Sequence, residues 1–164
     1  MSQHVVAVCF VCLGNICRSP TAEGVFLALV KKAGLGQQIR VDSAGTSGWH
    51  VGEVADRRSA ATARERGVHL PSRSRQLGVE DFEHFDYLLA MDIENFENMR
   101  SMAPNKQART RVHLFRDFDE KASKGSDVPD PYYGGPRGFD DVFDMCDASA
   151  RGLLKELCSK FKLS

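Results

Sequence analysis

The residues able to do chemistry cluster near the start of the chain. Between Val5 and Gly24 the sequence reads VVAVCFVCLGNICRSPTAEG, with Cys9, Cys12 and Cys17 in nine residues and Arg18 and Ser19 directly behind them. Such a cluster could be a dithiol, a metal site or a cradle for an anion. Cys9-Phe-Val-Cys12 has the spacing of a redox pair. Cys9, however, sits in the apolar run Val5 to Val11, which reads as a strand buried on both faces. Three extended residues would hold the two α-carbons roughly 10 Å apart, beyond the ~7 Å a disulfide spans, with the side chains on opposite faces. Cys9 is therefore expected in the core. A structural zinc site needs four ligands at matched spacing. Cys146 and Cys158 come only near the end, and His4, His50, His69, His84 and His113 are scattered singly. No metal is expected.

The anion reading uses every residue of the stretch. Cys12 and Arg18 are separated by five residues, and Ser19 and Pro20 follow as an N-cap and a first helical position. Successive backbone N–H groups from Leu13, Gly14, Asn15, Ile16, Cys17 and Arg18 could converge on one point, with the helix N-terminus facing the same way. Gly14 and Asn15 are residue types that accept left-handed backbone angles, which such a nest needs. Arg18 could clamp two oxygens of a phosphoryl group, while Cys12 points its sulfur at phosphorus. A free thiol of pKa about 8.5 is only a few per cent thiolate at neutral pH. Shifting such a thiol by three units takes about 4 kcal/mol, of which a helix N-terminus supplies about 0.3 to 2 kcal/mol. The loop amides, the Ser19 hydroxyl and Arg18 must supply the remainder.

A thiolate that takes a phosphoryl group leaves an oxygen needing a proton, a service worth about 10² to 10⁴ in rate. The late segment DVPDPYYGGP offers Asp127 and Asp130, the latter stiffened by Pro129 and Pro131 and followed by Tyr132 and Tyr133. By itself this reads first as a proline-rich turn with exposed tyrosines. Trp49, among glycines, reads by itself as either a packing or a binding residue.

These residues need a scaffold, and the remaining sequence describes one. The chain has 164 residues, 42% hydrophobic and 27% charged, with 22 Lys plus Arg against 22 Asp plus Glu. That suits one soluble domain, here taken as 1–164, with no basic field to attract nucleic acid or an anionic membrane. No apolar run approaches a membrane span, no signal peptide is expected, and an odd number of cysteines points to free thiols in a reducing, cytoplasmic setting. After the helix that begins at Ser19, with Glu23 in its first turn and Gly34 at its end, Ile39 to Gly45 reads as a strand. Asp56 to Gly67 reads as a helix, Val79 to Phe85 as a short acidic helix, and Tyr87 to Met91 as a strand. Asp92 caps a helix that Pro104 ends. Arg111 to Phe115 reads as a fourth strand, Arg116 to Arg137 as a long surface loop, and the segment from Asp140 as a helix. Strands alternating with helices predict a parallel α/β sheet in one domain. Ligands of such sheets bind beyond the carboxyl ends of the strands. Cys12 to Ser19, Ala44 to Gly52, Asp92 and Arg116 to Arg137 all fall there, so Trp49 and Asp130 share an edge with Cys12.

The motifs CLGNICRSP, VDSAGTSGWHVG, FDYLLAMD and DPYYG, in this order and nearly end to end, resemble the low-molecular-weight protein tyrosine phosphatases. The resemblance implies a single three-layer α/β domain with a four-stranded parallel sheet, no metal and no organic cofactor. It implies Cys12 as nucleophile through a phosphocysteine, Arg18 on the phosphoryl oxygens, and Ser19 as hydrogen-bond donor to the sulfur. Asp130 would be general acid and then general base. Asn15 and Ser43 would hold the loop, and Trp49, Tyr132 and Tyr133 would line a slot whose depth favours aryl esters. Cys17 would be a second thiol able to pair with an oxidised Cys12. Tyrosine-phosphorylated proteins would be substrates, with phosphate, sulfate or vanadate as loop ligands, and a monomer is expected. Two departures stand out: a long Arg116 to Val128 segment, and Ser72 where some relatives carry histidine. Neither is expected to touch the chemistry. A thiol-dependent arsenate reductase of the same fold would need relay cysteines, and none lies between Cys17 and Cys146. A non-catalytic phosphotyrosine-binding module would need neither the thiol nor the acid.

Overall fold

Residues 5–132, 134–135 and 137–164 are described by the computed structural model. Four parallel strands, β1 (Val6–Cys12), β2 (Ile39–Gly45), β3 (Tyr87–Ala90) and β4 (Val112–Leu114), form one sheet in the order β2-β1-β3-β4. From β1 the chain crosses to one side, and from β3 to the other. The direction of winding therefore reverses at β1 and β3, and a crevice opens beyond their carboxyl ends. Cys12 is the last residue of β1.

The alternation of strand side chains sorts the core into two layers. Val6, Val8, Phe10 and Cys12 face α1 (Arg18–Lys32) and α6 (Gly138–Phe161), where they join Phe26, Val30, Cys146 and Leu153. Phe10 packs edge-on against Phe26 at 5.6 Å and Phe115 at 5.0 Å. Ala7, Cys9 and Val11 face the other side with Phe82, Phe85 and Met99. That side is covered by α3 (Asp81–His84), α4 (Ile93–Met102) and α5 (Lys106–Arg109). Cys9 and Cys12 thus belong to opposite layers, and burial pushes the Cys9 thiol well above its ordinary range. The remaining helix, α2 (Arg57–Glu65), starts at Asp56, whose carboxylate accepts from the Arg58 amide. Among the described residues no helix is long and apolar enough to cross a membrane.

Three expectations need correction. Ser19 is not the N-cap of α1: the helix begins at Arg18 with Cys17 in that position, and no acidic residue lies in its first turn. The Ser19 hydroxyl is instead turned inward to Cys12. Pro20 becomes the third helical residue, where its missing N–H still costs nothing. The 116–137 segment is not merely a surface loop. It opens with a 3₁₀ turn, Phe115–Phe118, and then buries Val128 completely, with Val128 N donating to Met91 O at 2.7 Å. Lastly, α5, capped by Asn105, lies where no element was expected. It is a single helical turn, too short to leave an amphipathic period.

Candidate active site

The loop from Cys12 to Arg18 turns its carbonyls outward. Cys12 O accepts from Thr46 N at 2.9 Å, Leu13 O from Ser47 N at 2.9 Å, and Ile16 O from Asp56 N at 2.7 Å. Gly14 O accepts from the Ser74 hydroxyl at 3.0 Å and Cys17 O from the Thr21 hydroxyl at 2.7 Å. No described peptide bond is cis. In a trans peptide the next N–H points opposite its carbonyl, so the amides of Leu13, Gly14, Asn15, Cys17 and Arg18 face the inside of the loop. Asn15 N does so visibly, donating to Cys12 Sγ at 3.2 Å. The turn needs a left-handed residue at Asn15, φ 56°. It also needs Gly45 opposite, because a Cβ there would lie 2.8 Å from Leu13 O.

A chain of hydrogen bonds centred on Asn15 holds the sulfur. Asn15 Oδ1 accepts from Arg75 N at 3.0 Å, which fixes the orientation of the amide. Both hydrogens of Asn15 Nδ2 are then spent, on Ser19 Oγ at 2.7 Å and Ser43 Oγ at 3.0 Å. Ser43 gives its own hydrogen to Glu23 Oε1 at 2.7 Å. The remaining hydrogen of Ser19 has Cys12 Sγ at 3.1 Å, with Ala44 O farther away at 3.5 Å. The hydroxyl is thus placed to donate to a Cys12 thiolate. Ser72, the departure expected to be neutral, donates to the same Glu23 oxygen at 2.6 Å and so belongs to this support. Burial raises the Glu23 carboxyl above its ordinary range, partly offset by these two hydroxyl donors.

Arg18 is buried, with its guanidinium fixed from behind. Nη1 donates to Asp92 Oδ2 at 2.5 Å and to Val128 O at 3.1 Å, leaving Nη2 3.8 Å from Asp130 Oδ2. Burial opposes its charge, but Cys12 and Asp92 outweigh that and hold its pKa above the ordinary value. The two acids of DVPDP separate by role. Asp127 accepts from Ile93 N at the start of α4, whereas Asp130 lines the cavity, its Oδ1 pinned by Tyr132 N at 3.0 Å.

Cys12, Arg18 and Asp130 share a cavity of about 250 Å³ with Ile16, Cys17, Trp49 and Tyr132 in its lining. Trp49 is 78% exposed at the mouth. Ser19, Asn15 and Ser43 lie behind the loop, and Tyr133 lies outside the described residues. Cys17 is nearly buried, and burial, with Asp56 nearby, pushes its thiol up to about 12. Sequence reasoning missed three participants. Asp92 was read as a cap at the ligand edge of the sheet, with no partner named; it is a cap, accepting from Asn95 N at 2.7 Å. Its place after a strand end was the available signal for its second partner, Arg18. Glu23 carried only a helix-terminus signal. His50, whose ring lies over Gly14 and pairs through Nδ1 with Glu53 at 2.7 Å, carried none.

The geometry has counterparts. The family model for "Low molecular weight phosphotyrosine protein phosphatase" matches residues 7–163. A low molecular weight protein-tyrosine-phosphatase of Streptomyces coelicolor is 46% identical over 148 residues, 90% of either chain. The crystal structure of a protein tyrosine phosphatase from Entamoeba histolytica, with Hepes in its active site, is 37% identical. It superposes with a TM-score of 0.90 over 96% of this chain and 99% of its own. Vibrio vulnificus Wzb in complex with benzylphosphonate is 29% identical, with a TM-score of 0.79 over 93% and 99% of the two chains.

Proposed function

The chain belongs to the low molecular weight phosphotyrosine protein phosphatase family, and from that premise we propose that it hydrolyses phosphotyrosine through a phosphocysteine on Cys12. The observation that carries the reading is the loop with its amides turned inward, that of Asn15 onto the Cys12 sulfur, with Arg18 fixed behind it and Asp130 across the cavity. The phosphoryl oxygens sit among the amides of residues 13–18 and the guanidinium of Arg18, where developing negative charge meets oriented donors. Cys12 sulfur attacks phosphorus as the bond to the aryl oxygen breaks. Asp130 gives that oxygen its proton. Asp130 then takes a proton from the water that attacks the phosphocysteine. Ser19, held as a donor by Asn15, hydrogen-bonds the sulfur as it departs. Ile16, Trp49 and Tyr132 form the walls for the ring, and their depth favours an aryl ester. Benzylphosphonate, held by the Vibrio protein, likewise bears an aryl ring.

The test is hydrolysis of p-nitrophenyl and phenyl phosphate with a chelator present. Cys12→Ser is expected to be inactive. Asp130→Ala is expected to lose about 10² or more on phenyl phosphate and less on the better leaving group. Equal activity in wild type and Cys12→Ser would end the phosphocysteine reading.

Cys17 is the redox partner in this proposal. Peroxide converts Cys12 to a sulfenic acid, and the Cys17 thiol displaces water from it to close a disulfide. Mass spectrometry after mild peroxide should find a Cys12–Cys17 bond; Cys12 sulfonate in its place would refute the guard.

A further inference from the structure

Asp130 and Tyr132 are exposed on either side of the buried Pro131, between Val128 and the start of α6. The bonds within this stretch, Tyr132 N to Asp130 Oδ1 and Gly134 N to Pro131 O, shape the turn. An attachment comes from Arg58, in the first turn of α2. Its Nη1 donates to Tyr132 O at 3.3 Å, and its guanidinium carbon lies 5.1 Å from the centre of the Tyr132 ring and 4.6 Å from that of Phe139. The other edge of the guanidinium is gripped by Asp56, Nε to Oδ1 at 3.2 Å and Nη2 to Oδ2 at 3.1 Å. Asp56 in turn binds the phosphate loop through its own amide, which donates to Ile16 O.

We propose that Arg58 is a positioning residue for the general acid: a bracket running from the Cys12 loop through Asp56 and Arg58 to Tyr132, which sets Asp130 over the cavity. The inference rests on Asp130 acting as the acid in the reading above. The bland alternative is an exposed ion pair between near neighbours, worth little to stability. Such a pair would not account for the rest of the arrangement. One planar group makes a two-pronged contact on one side and lies over two rings besides, a combination that guanidinium geometry permits and an ammonium does not. Phe139 heads α6, so the same guanidinium also meets the place where the acid stretch runs into that helix. Holding a proton donor within reach of the leaving oxygen is a matter of ångströms, and a misplacement of about 1 Å can cost 10² in rate.

The experiment uses the full chain and measures kcat/KM for aryl phosphates from p-nitrophenyl to phenyl, in wild type, Arg58→Ala, Arg58→Lys, Asp130→Asn and the Arg58→Ala/Asp130→Asn double variant. Arg58→Ala is expected to lose about tenfold on phenyl phosphate and under threefold on p-nitrophenyl phosphate, steepening the leaving-group dependence. Arg58→Lys should recover part of the loss and guards against a folding defect in the alanine variant. In the Asp130→Asn background, Arg58→Ala should cost nothing further, because the acid it positions is gone. Equal losses across all leaving groups, or full multiplication of the two losses in the double variant, would overturn the bracket. A shallow leaving-group series unchanged by Asp130→Asn alone would overturn the acid assignment, and Arg58's role with it.

Discussion

Replacing Asn15 separates what this residue does for the backbone from what it does for the sulfur. The side chain is 1% exposed at φ 56° and makes three hydrogen bonds, to Ser19, to Ser43 and from Arg75 N. Asn15→Ala removes the partner of the half-buried Arg75 amide, at about 1–2 kcal/mol. Alanine also lacks the short polar side chain that lets asparagine occupy the left-handed region, where an ordinary L-residue costs about 1–2 kcal/mol. The expected loss is about 3 kcal/mol of folding stability, a large share of the ~5–15 kcal/mol typical of a domain. Asn15→Gly removes only the backbone part and should recover about 1 kcal/mol relative to alanine. Both variants release Ser19, which can then turn its hydrogen toward Ala44 O. A hydrogen bond to a charged group is worth about 1.5–3 kcal/mol. Loss of even the lower figure predicts slower alkylation of Cys12 by iodoacetate than in wild type, by up to about tenfold. Urea unfolding reads the first quantity and inactivation kinetics the second. Equal stability of the glycine and alanine variants would refute the backbone argument. Wild-type alkylation in both would refute the chain from Asn15 through Ser19 to sulfur.

Two further outcomes follow from burial and close approach. Iodoacetamide at pH 7 should label Cys12 ahead of Cys9, Cys17 and Cys146, because burial pushes the last three thiols up, Cys17 to about 12. Inorganic phosphate should protect Cys12, and peptide mapping that found Cys17 labelled as fast as Cys12 would contradict this. Gly152→Ala should destabilise the protein although alanine favours helix by about 1 kcal/mol. A β-carbon at Gly152 would lie 1.7 Å from Phe118 O, and overpacking of this kind costs about 1–3 kcal/mol or more; an unchanged or raised Tm would count against that contact.

The Cys12–Ser19 stretch of the candidate site was legible because its parts are close in sequence. A buried strand, a turn containing Asn15 and a helix carrying Arg18 and Ser19 fall within a few residues, so spacing alone brought sulfur, amides and guanidinium together. The strand-helix alternation likewise predicted the parallel sheet, since parallel neighbours require a crossover. Local pattern misjudged Ser19, whose residue type suits a cap and a sulfur donor equally well. In the closed fold the helix starts one residue earlier, at Arg18, and the Ser19 hydroxyl, accepting from Asn15 Nδ2, lies 3.1 Å from Cys12 Sγ.

What local pattern could not supply are the partners that arrive from elsewhere in the chain. Asp92 reaches Arg18 because β3 lies beside β1, Val128 because its segment is drawn back against the end of β3, and Ser72 because its loop closes over Glu23. The link from Arg58 to Tyr132 depends on α2 and α6 meeting over the phosphate loop. The chemistry of the site was thus written into one short run of residues. Its orientation, the partners in its hydrogen bonds and the setting of the acid were decided by strand order and helix packing, because hydrogen bonds act over about 3 Å and only the closed fold brings such distant residues that near.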